Sequence, residues 1–228
     1  MVNIDDVYQK VLATANKEQR GYITPQEFNL FADHAQMEIF EQYFYDLNQF
    51  TRVLGNSTDH SDVINIVNEK IAFFETTGSG LTLPTDLYRL GNVTYFGAKM
   101  TVIEQVQQGE LVNILHSSLL APNDNRRIYV RINASEIQVY PTTSTSAQQV
   151  RYDYIRIPAK PSWGYFIVGN KALYDSSITK TTHFELHPSE ESELVYKILK
   201  LAGISMQKID VAQAAQGLET IQTTQEKQ

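Results

Sequence analysis

Residues 126–161 read RRIYVRINASEIQVYPTTSTSAQQVRYDYIRIPAKP, and this stretch decides the fold. Apolar and polar residues alternate in it, which is typical of β-strands and predicts strands over 128–132, 136–140 and 150–157. Pro141 ends the second strand because proline has no N–H to donate to a neighbouring strand. Consecutive strands joined by short loops predict an antiparallel meander with one buried face.

Helix signals flank these strands on both sides. The sequence TPQE at 24–27 combines a capping residue, a proline suited to the first helical turn and a Glu that completes a capping box, so a helix is predicted over 25–50. Pro188, followed by acidic residues, starts a second helix that Gly203 can end. Weaker periodicity predicts helices over 3–15 and 210–221, whereas 63–74 fits either a helix or a strand and 55–62 a polar loop. Residues 165–168 and 172–174 fit two further short strands, paired across Gly169-Asn170.

These signals predict an α+β fold in which long helices pack around a small, mostly antiparallel β domain with a meander or barrel-like sheet. The predicted organisation has a helical domain over 1–80 and a β-rich domain over 81–187. In the remaining segment, 188–228, a helix returns to the helical part and is followed by an extended tail. Hydrophobic residues make up 42% of the 228-residue chain, which is enough for a packed core.

Composition excludes several classes of function. The chain has no cysteine, which removes disulfides, thiolate catalysis and every cysteine-based metal site. Its apolar runs are shorter than the ~20 residues that span a bilayer, and its first residues lack the pattern of a signal peptide. We therefore expect no membrane association and folding in a reducing cytoplasm.

The net charge argues against tight binding of nucleic acid. The formal net charge is −7, whereas a protein that binds DNA by counterion release needs a basic face. A small cluster of Arg126, Arg127 and Arg131 fits a solvated strand edge better than a nucleic-acid patch. We expect no tight binding to duplex DNA.

One loop imitates a calcium site. In residues 16–27, Gly21 and Glu27 fall at the sharp-turn and bidentate positions of a calcium loop, but Arg20 stands at a ligand position and would place a cation beside the ion. The capping box explains Glu27 without a metal. We predict no calcium binding, and we expect Glu27→Gln to weaken only the helix start.

The remaining candidates for chemistry are weak. His183 and His187 have the i, i+4 spacing that joins two ligands in a helix, yet the residues between them fit an extended segment. Residues 78–80, Gly-Ser-Gly, lack the lysine of a phosphate loop and fit a hinge turn. Glu190 and Glu191 serve a helix start. We predict no catalytic residues, no metal and no cofactor.

Aromatic residues point to contacts instead. The chain has 13 tyrosines and 10 phenylalanines, and aromatic residues are enriched in interface cores as well as in protein cores. The strand pattern places three tyrosines opposite the aliphatic face, so packing and interface use remain equally open. The predicted interface residues in this region are Tyr129, Arg131, Tyr152, Tyr154 and Arg156.

A family resemblance covers most of residues 22–215. The segments IYV, IQVYP and VRYDYIRIPAKP within 128–161, with LPTDLYRLGNV before them and FELHPSEESELVYKILKLAGI (184–204) after them, resemble the adaptor or tail-tubular proteins of short-tailed bacteriophages. The closest likeness is to the ring proteins of crAss-like phages. The resemblance lies in a pattern of strand, proline and helix signals.

The resemblance implies a virion structural protein and no enzyme. It implies a head-to-tail connector ring, a homododecamer of about twelve copies, that joins the portal to the tail and to other ring proteins. The genomic DNA would pass through it during ejection, and assembly would occur in the cytoplasm of the host bacterium. A receptor- or glycan-binding virion module is the main alternative. A tail-associated lysozyme would need a convergent acidic pair, which the sequence does not offer.

The C-terminal segment is predicted to dock on a partner. Its apolar residues are too sparse to hold a helix alone, because isolated helices of this length are marginal in water. We therefore expect residues 205–228 to be poorly ordered in a monomer. Docking is favoured for 204–218, whereas for 220–228 a frayed tail without a role is equally open. Deletion of 205–228 should leave the melting temperature of the monomer nearly unchanged while abolishing attachment to the portal-side ring. The predicted anchors are Ile204, Met206, Ile209 and Leu218.

Overall fold

The computed structural model of the chain describes residues 1–15, 23–52, 58–97, 99–169, 171–177, 179–205 and 209–226. The helices are α1 (Ile4–Ala15), α2 (Pro25–Arg52), α3 (Thr58–Ala72), α4 (Leu111–His116), α5 (Glu191–Ser205) and α6 (Ile209–Glu226). The strands are β1 (Glu75–Ser79), β2 (Leu87–Phe96), β3 (Met100–Val102), β4 (Glu104–Gln105), β5 (Ile128–Asn133), β6 (Glu136–Tyr140), β7 (Val150–Arg156), β8 (Tyr165–Val168) and β9 (Lys171–Tyr174). The predicted α+β class is confirmed, and the described strands form three open sheets rather than a barrel.

The chain forms two compact units. The helical unit comprises Met1–Phe73 and Pro158–Gln228, and the β unit comprises Phe74–Ile157. The β unit therefore starts before the predicted boundary at residue 81 and ends well before residue 187. Residues 158–187, which include β8 and β9, belong to the helical unit.

The β unit contains two sheets. The larger has the antiparallel order β1-β7-β2-β3, and the smaller has the order β4-β5-β6, in which β4 runs parallel to β5. The prediction of one meander over residues 128–157 is thus wrong, because β5 and β6 pair with each other but β7 pairs with β1 and β2. Gly78 of β1 lies directly opposite Tyr152 and leaves room for its ring, which favours this pairing.

One core joins the two sheets of the β unit. Its residues alternate along the strands, and they include four tyrosines. The other face of β5 is also buried, since Ile128 and Val130 pack with Val106 under α4. The core between the sheets consists of Leu83, Val93, Tyr95, Ile103, Tyr129, Ile137, Val139, Val150, Tyr152 and Tyr154.

Gly78→Ala is expected to destabilise the β unit by about 1–3 kcal/mol, which is typical of overpacking. A methyl group at Gly78 would lie 2.6 Å from Cζ of Tyr152, and that ring is fixed because its hydroxyl donates to the Thr82 carbonyl at 2.9 Å. Hydrogen exchange of peptides from β2 and β7 would measure the loss. Gly109→Ala is the matched control, since its added methyl group meets nothing within 4 Å; equal protection in both variants would contradict the prediction.

In the helical unit, α2 is the central helix. Phe28, Ile39 and Phe40 are buried along it, and both α3 and α5 pack against it. The α5 helix also contacts α1 and α6, so the C-terminal helices complete this core.

The predicted capping box at the start of α2 is confirmed. The Thr24 backbone N–H donates to Glu27 Oε2 at 3.0 Å, and the Glu27 N–H donates to Thr24 Oγ1 at 3.3 Å. Hydrogen bonds that the Thr24 N–H and the Thr24 hydroxyl donate to the Glu27 carboxylate lower its pKa. The carboxylate is therefore charged at the positive end of the helix dipole, where it is most favourable.

Thr24→Ala is expected to lower the free energy of unfolding of the helical unit by about 1 kcal/mol, because the N–H of Glu27 loses its acceptor. Thr24→Ser keeps the hydroxyl and should retain most of the stability. Trp163 is the only tryptophan and lies in the helical unit, so its fluorescence follows urea unfolding of this unit. Identical midpoints for the alanine variant and the wild type would show that the cap contributes nothing.

The C-terminal segment differs from its prediction. The described part of it forms α6, in which Ala215 is buried and Glu219 pairs with two lysines of α5. The expectation that 205–228 is poorly ordered in a monomer is thus wrong for 209–226. Among the described side chains of α6, Glu219 holds the helix through its ion pairs with α5, and Ala215 is buried.

Candidate interaction surfaces

The three predicted interface tyrosines lie in the core of the β unit. Tyr129 and Tyr152 are each 3% exposed, and Tyr154 is also buried. The Tyr129 hydroxyl donates to Gln105 Oε1 at 3.2 Å, and burial raises the pKa of both Tyr129 and Tyr152. Their assignment to an interface is therefore wrong, because the face opposite the aliphatic side chains is the one that the second sheet covers.

The predicted interface arginines remain nearer to the surface. Arg131 is exposed, but its guanidinium donates to the carbonyls of Asn133 and Ala134 and so fixes the turn after β5. Arg156 is half-buried, and its backbone N–H donates to the Phe74 carbonyl at 3.0 Å. Both residues support the strand ends on which they lie.

The predicted C-terminal anchors have mixed outcomes. Leu218 lies on α6 and is 47% exposed, so it is open to a partner. Ile204 and Ile209 belong to α5 and α6, but their side chains lie outside the described part of the structure. Met206 lies outside the described residues altogether.

A buried ionic cluster joins three helices. The Lys197 side chain on α5 is 2% exposed, and its Nζ lies 2.7 Å from Glu219 Oε1, 3.0 Å from Glu38 Oε1 and 3.5 Å from Glu193 Oε1. Lys200 Nζ lies 3.1 Å from the second Glu219 oxygen. Since Glu38 belongs to α2 and Glu219 to α6, the cluster ties the C-terminal helix to the centre of the unit.

The cluster shifts the pKa values of its members. Burial alone lowers the pKa of Lys197, but hydrogen bonds to Glu219 and Glu38 and the charge of Glu193 outweigh it and raise the pKa. Burial likewise favours a higher pKa for Glu219, but Lys197 and Lys200 outweigh it and lower the pKa. Both groups are therefore charged at neutral pH, and the cluster serves structure.

An apolar hairpin is exposed on the helical unit. The strands β8 and β9 form a two-stranded sheet whose side chains are exposed toward the turn, with Ile167 69% exposed. Phe166, Val168 and Leu173 are exposed on one face of the hairpin, and we call them the hairpin surface; Ile167 lies on the other face, with Tyr165 and Tyr174. The sequence predicted the hairpin, but its residue pattern did not indicate that these side chains are exposed among the described residues.

Trp163 anchors the base of this hairpin. Its indole stacks on Tyr165 and Tyr174, with ring centroids 5.8 Å apart in both pairs. The indole Nε1–H donates to Asp5 Oδ1 at 2.9 Å, and the Trp163 backbone N–H donates to Asn29 Oδ1 at 2.7 Å. The base is thus fixed to α1 and α2.

The β unit has an apolar surface of its own. The helix α4 packs Leu111 and Ile114 toward the core and leaves its other side apolar and open. Leu119, in the turn after the helix, is 87% exposed. We call this set the α4 surface: Val112, Leu115, Leu119 and Leu120.

A polar groove of about 440 Å³ lies on the outer face of the larger sheet. Thr77, Ser79, Arg151 and Asp153 contribute hydroxyl, guanidinium and carboxylate groups to its lining. The Arg151 guanidinium lies 4.4 Å from the ring centre of Phe96, the exposed aromatic residue at the end of β2. A sugar ring would have to displace that guanidinium in order to stack on the face of Phe96 that it covers.

The histidines and the imitation calcium loop have structural roles where they are described. His183 Nδ1 accepts a hydrogen bond from the Ile4 N–H at 3.3 Å, and His187 Nδ1 accepts one from the Ser189 N–H at 3.2 Å. Residues 16–22 of the loop lie outside the described residues. Within the described ranges, no group of three or more His, Asp or Glu side chains is placed to hold a metal ion.

The predicted hinge turn at 78–80 has a different form. Gly78 and Ser79 belong to β1, and Gly80 follows with a φ of 103°, a backbone conformation that favours glycine. The Gly80 N–H donates to the Val150 carbonyl at 2.9 Å. This turn therefore ends a paired strand and positions β1 beside β7.

Comparison with known proteins adds no relative. No protein-family model matches the chain. No curated protein matches it either. Among the described helices, none combines the length and the apolar character required to cross a bilayer.

Proposed function

We propose that this protein is a virion structural protein, an adaptor ring between the portal and the tail of a short-tailed bacteriophage. The observation that carries the proposal is the hairpin surface, since three large apolar side chains are exposed on one face of a hairpin whose base is well anchored. Large exposed apolar patches mark interaction sites on soluble proteins. The family resemblance of residues 22–215 indicates the partners of this interaction: neighbouring copies, the portal and other tail proteins.

A closed ring requires two different surfaces on each copy. In a head-to-tail contact, one surface of a subunit meets another surface of its neighbour, and the ring closes when the rotation is right. The hairpin surface and the α4 surface supply two apolar sets on one chain. Leu218 and Ile221, exposed on α6, leave a third surface for the portal or for another ring protein.

The acidic charge suits a channel that DNA passes through. A strongly basic tube would hold the polyanion at each step, whereas a neutral or acidic one lets it slide. The net charge of −7 supports passage without a grip. The protein in this role performs no chemistry and needs no cofactor.

Oligomeric mass tests this proposal. Mass photometry of the purified chain, alone and with the portal ring of the same virus, should show a complex that carries about twelve copies on the portal. A chain that stays monomeric with the portal and is instead retained on a glycan array would favour the receptor-binding alternative and overturn the adaptor role. Binding to duplex DNA at physiological salt would contradict the proposed passage.

A further inference from the structure

We propose that the hairpin surface of one copy packs on the α4 surface of the next copy, with Lys171 pairing with Glu110 across the contact. This inference rests on the proposed ring. It names the two surfaces that meet and the polarity of their contact.

The hairpin has one anchored face and one open face. Residues paired across antiparallel strands point to the same side, so Phe166 and Leu173 share a face with Val168. On the opposite face, Tyr165 and Tyr174 stack on Trp163. An isolated two-stranded hairpin is marginally stable in water, so the open apolar face gains from a cover.

The base of the hairpin is ordered before any contact forms. The Asp175 N–H donates to the Gly164 carbonyl at 2.9 Å, and Asp175 Oδ2 accepts a hydrogen bond from Lys180 at 2.9 Å. Hydrogen bonds from Lys180 and Ser177 lower the pKa of Asp175, so the carboxylate stays ionised. A pre-ordered surface binds at a smaller entropic cost than a flexible one.

The α4 surface is equally well supported. Val112 and Leu115 lie on one side of α4 at i, i+3 spacing, and Leu119 follows in the turn after the helix ends at His116. The turn that carries Leu119 is fixed because Ser117 Oγ accepts from the Leu120 N–H at 3.2 Å and Arg126 donates to the Leu120 carbonyl at 3.3 Å. This side of α4 is therefore a rigid apolar platform.

Charge identifies the occupant as a second copy. Lys171 is exposed at the hairpin turn, and Glu110 is exposed at the start of α4. Among the described residues, neither has an oppositely charged partner. The contact between unlike surfaces joins a cation to an anion, whereas hairpin against hairpin or α4 against α4 would bring like charges together. Head-to-tail packing is the arrangement that satisfies both the apolar sets and the charges.

Charge exchange tests the pairing. Lys171→Glu and Glu110→Lys should each weaken ring formation at least 10-fold in sedimentation velocity with the portal present, and the double variant should recover most of it. Lys99→Glu makes the same charge change at an exposed site of the β unit and should assemble as the wild type does. Trp163 fluorescence checks that the helical unit of each variant is folded. Single variants that assemble as the wild type does, or a double variant that does not recover ring formation, would overturn the pairing.

Cross-linking tests the polarity of the contact. The chain has no cysteine, so Phe166→Cys and Leu119→Cys each introduce a single thiol. Under mild oxidation with the portal present, an equal mixture of the two variants should form disulfide-linked dimers, while neither variant alone should. Dimers from one variant alone would show a contact between like surfaces and overturn the inference.

Different results would contradict the adaptor role and the pairing of the two surfaces. If the wild type forms portal-bound rings but the charge and cysteine variants behave against expectation, the inference is wrong and the adaptor role stands. If the wild type does not associate with itself or with the portal, both are wrong.

Discussion

Lys197→Met is expected to lower the free energy of unfolding of the helical unit by about 3–5 kcal/mol, the range for removing one partner of a buried ion pair. The methionine fills a similar volume, so the loss comes from charge rather than from a cavity. Without the ammonium group, the carboxylates of Glu38, Glu193 and Glu219 lose the cation that they share, while Lys200 stays beside Glu219. Repulsion between them should loosen both α5 and α6.

Urea unfolding followed by Trp163 fluorescence measures this effect. Lys160→Met is the matched control, because the Lys160 side chain is 86% exposed and its Nζ lies 3.7 Å from Asp33, an arrangement worth about 0–1 kcal/mol. Glu219→Gln should lie between the two, since it leaves Lys197 with two other carboxylates. A Lys197 variant as stable as the Lys160 variant would show that the cluster adds nothing to stability.

The cluster also makes the stability of the helical unit depend on pH. Because folding lowers the pKa of Glu219, its stabilisation is complete above the ordinary value of 4.5 and is lost as the pH falls through the lower folded value. Because folding raises the pKa of Lys197, its stabilisation is complete below 10.5 and is lost as the pH rises through the folded value. The acid loss of stability should be smaller in Glu219→Gln than in the wild type.

Local signals in the sequence predicted local structure well. The capping box placed the start of α2 at Pro25, because its donors and acceptors all lie within four residues. The hairpin of β8 and β9 and the pairing of β5 with β6 were predicted for the same reason, since each pair is joined by a short turn. The start of α3 was missed, since residues 55–62 read as a polar loop and the helix begins at Thr58.

Contacts between distant segments of the chain could not be predicted from local patterns. The alternation along β7 separates Tyr152 and Tyr154 from Arg151 and Asp153, but a period of two does not say which face is covered. The answer depends on β6 and β5, whose core side chains come from a different sheet. Sequence reasoning therefore assigned buried tyrosines to an interface.

The candidate surfaces show the same limit. Glu193 and Lys197 have visible i, i+4 spacing, but nothing local shows that Glu38 of α2 and Glu219 of α6 converge on the same lysine. The hairpin surface is a strand pattern like any other until its neighbours are known. Whether a side chain is exposed depends on how the rest of the fold packs around it, so an apolar surface cannot be identified from a local pattern.

A chain that ends at Ser205 is expected to lose about 2–3 kcal/mol of stability in the helical unit, as for removal of hydrogen bonds to a charged group. The truncation removes Glu219, which accepts hydrogen bonds from both Lys197 and Lys200, and it uncovers the α5 face on which Ala215 is buried. For a domain of this size, that loss lowers the melting temperature by about 4–12 °C. This expectation replaces the one drawn from the sparse apolar pattern of the tail.

The matched control is a chain that ends at Gln222, which keeps both Ala215 and Glu219 and should melt within a degree or two of the full chain by calorimetry. Hydrogen exchange of the full chain adds a measurement that needs no variant, because an α6 packed on α5 protects its amides at neutral pH and loses protection as acid protonates Glu219. If the Ser205 chain melts like the full chain and the α6 amides exchange freely, the helix is not held within the subunit. The C-terminal segment would then depend on a partner for its order, and the ion pairs of Glu219 would contribute little by themselves.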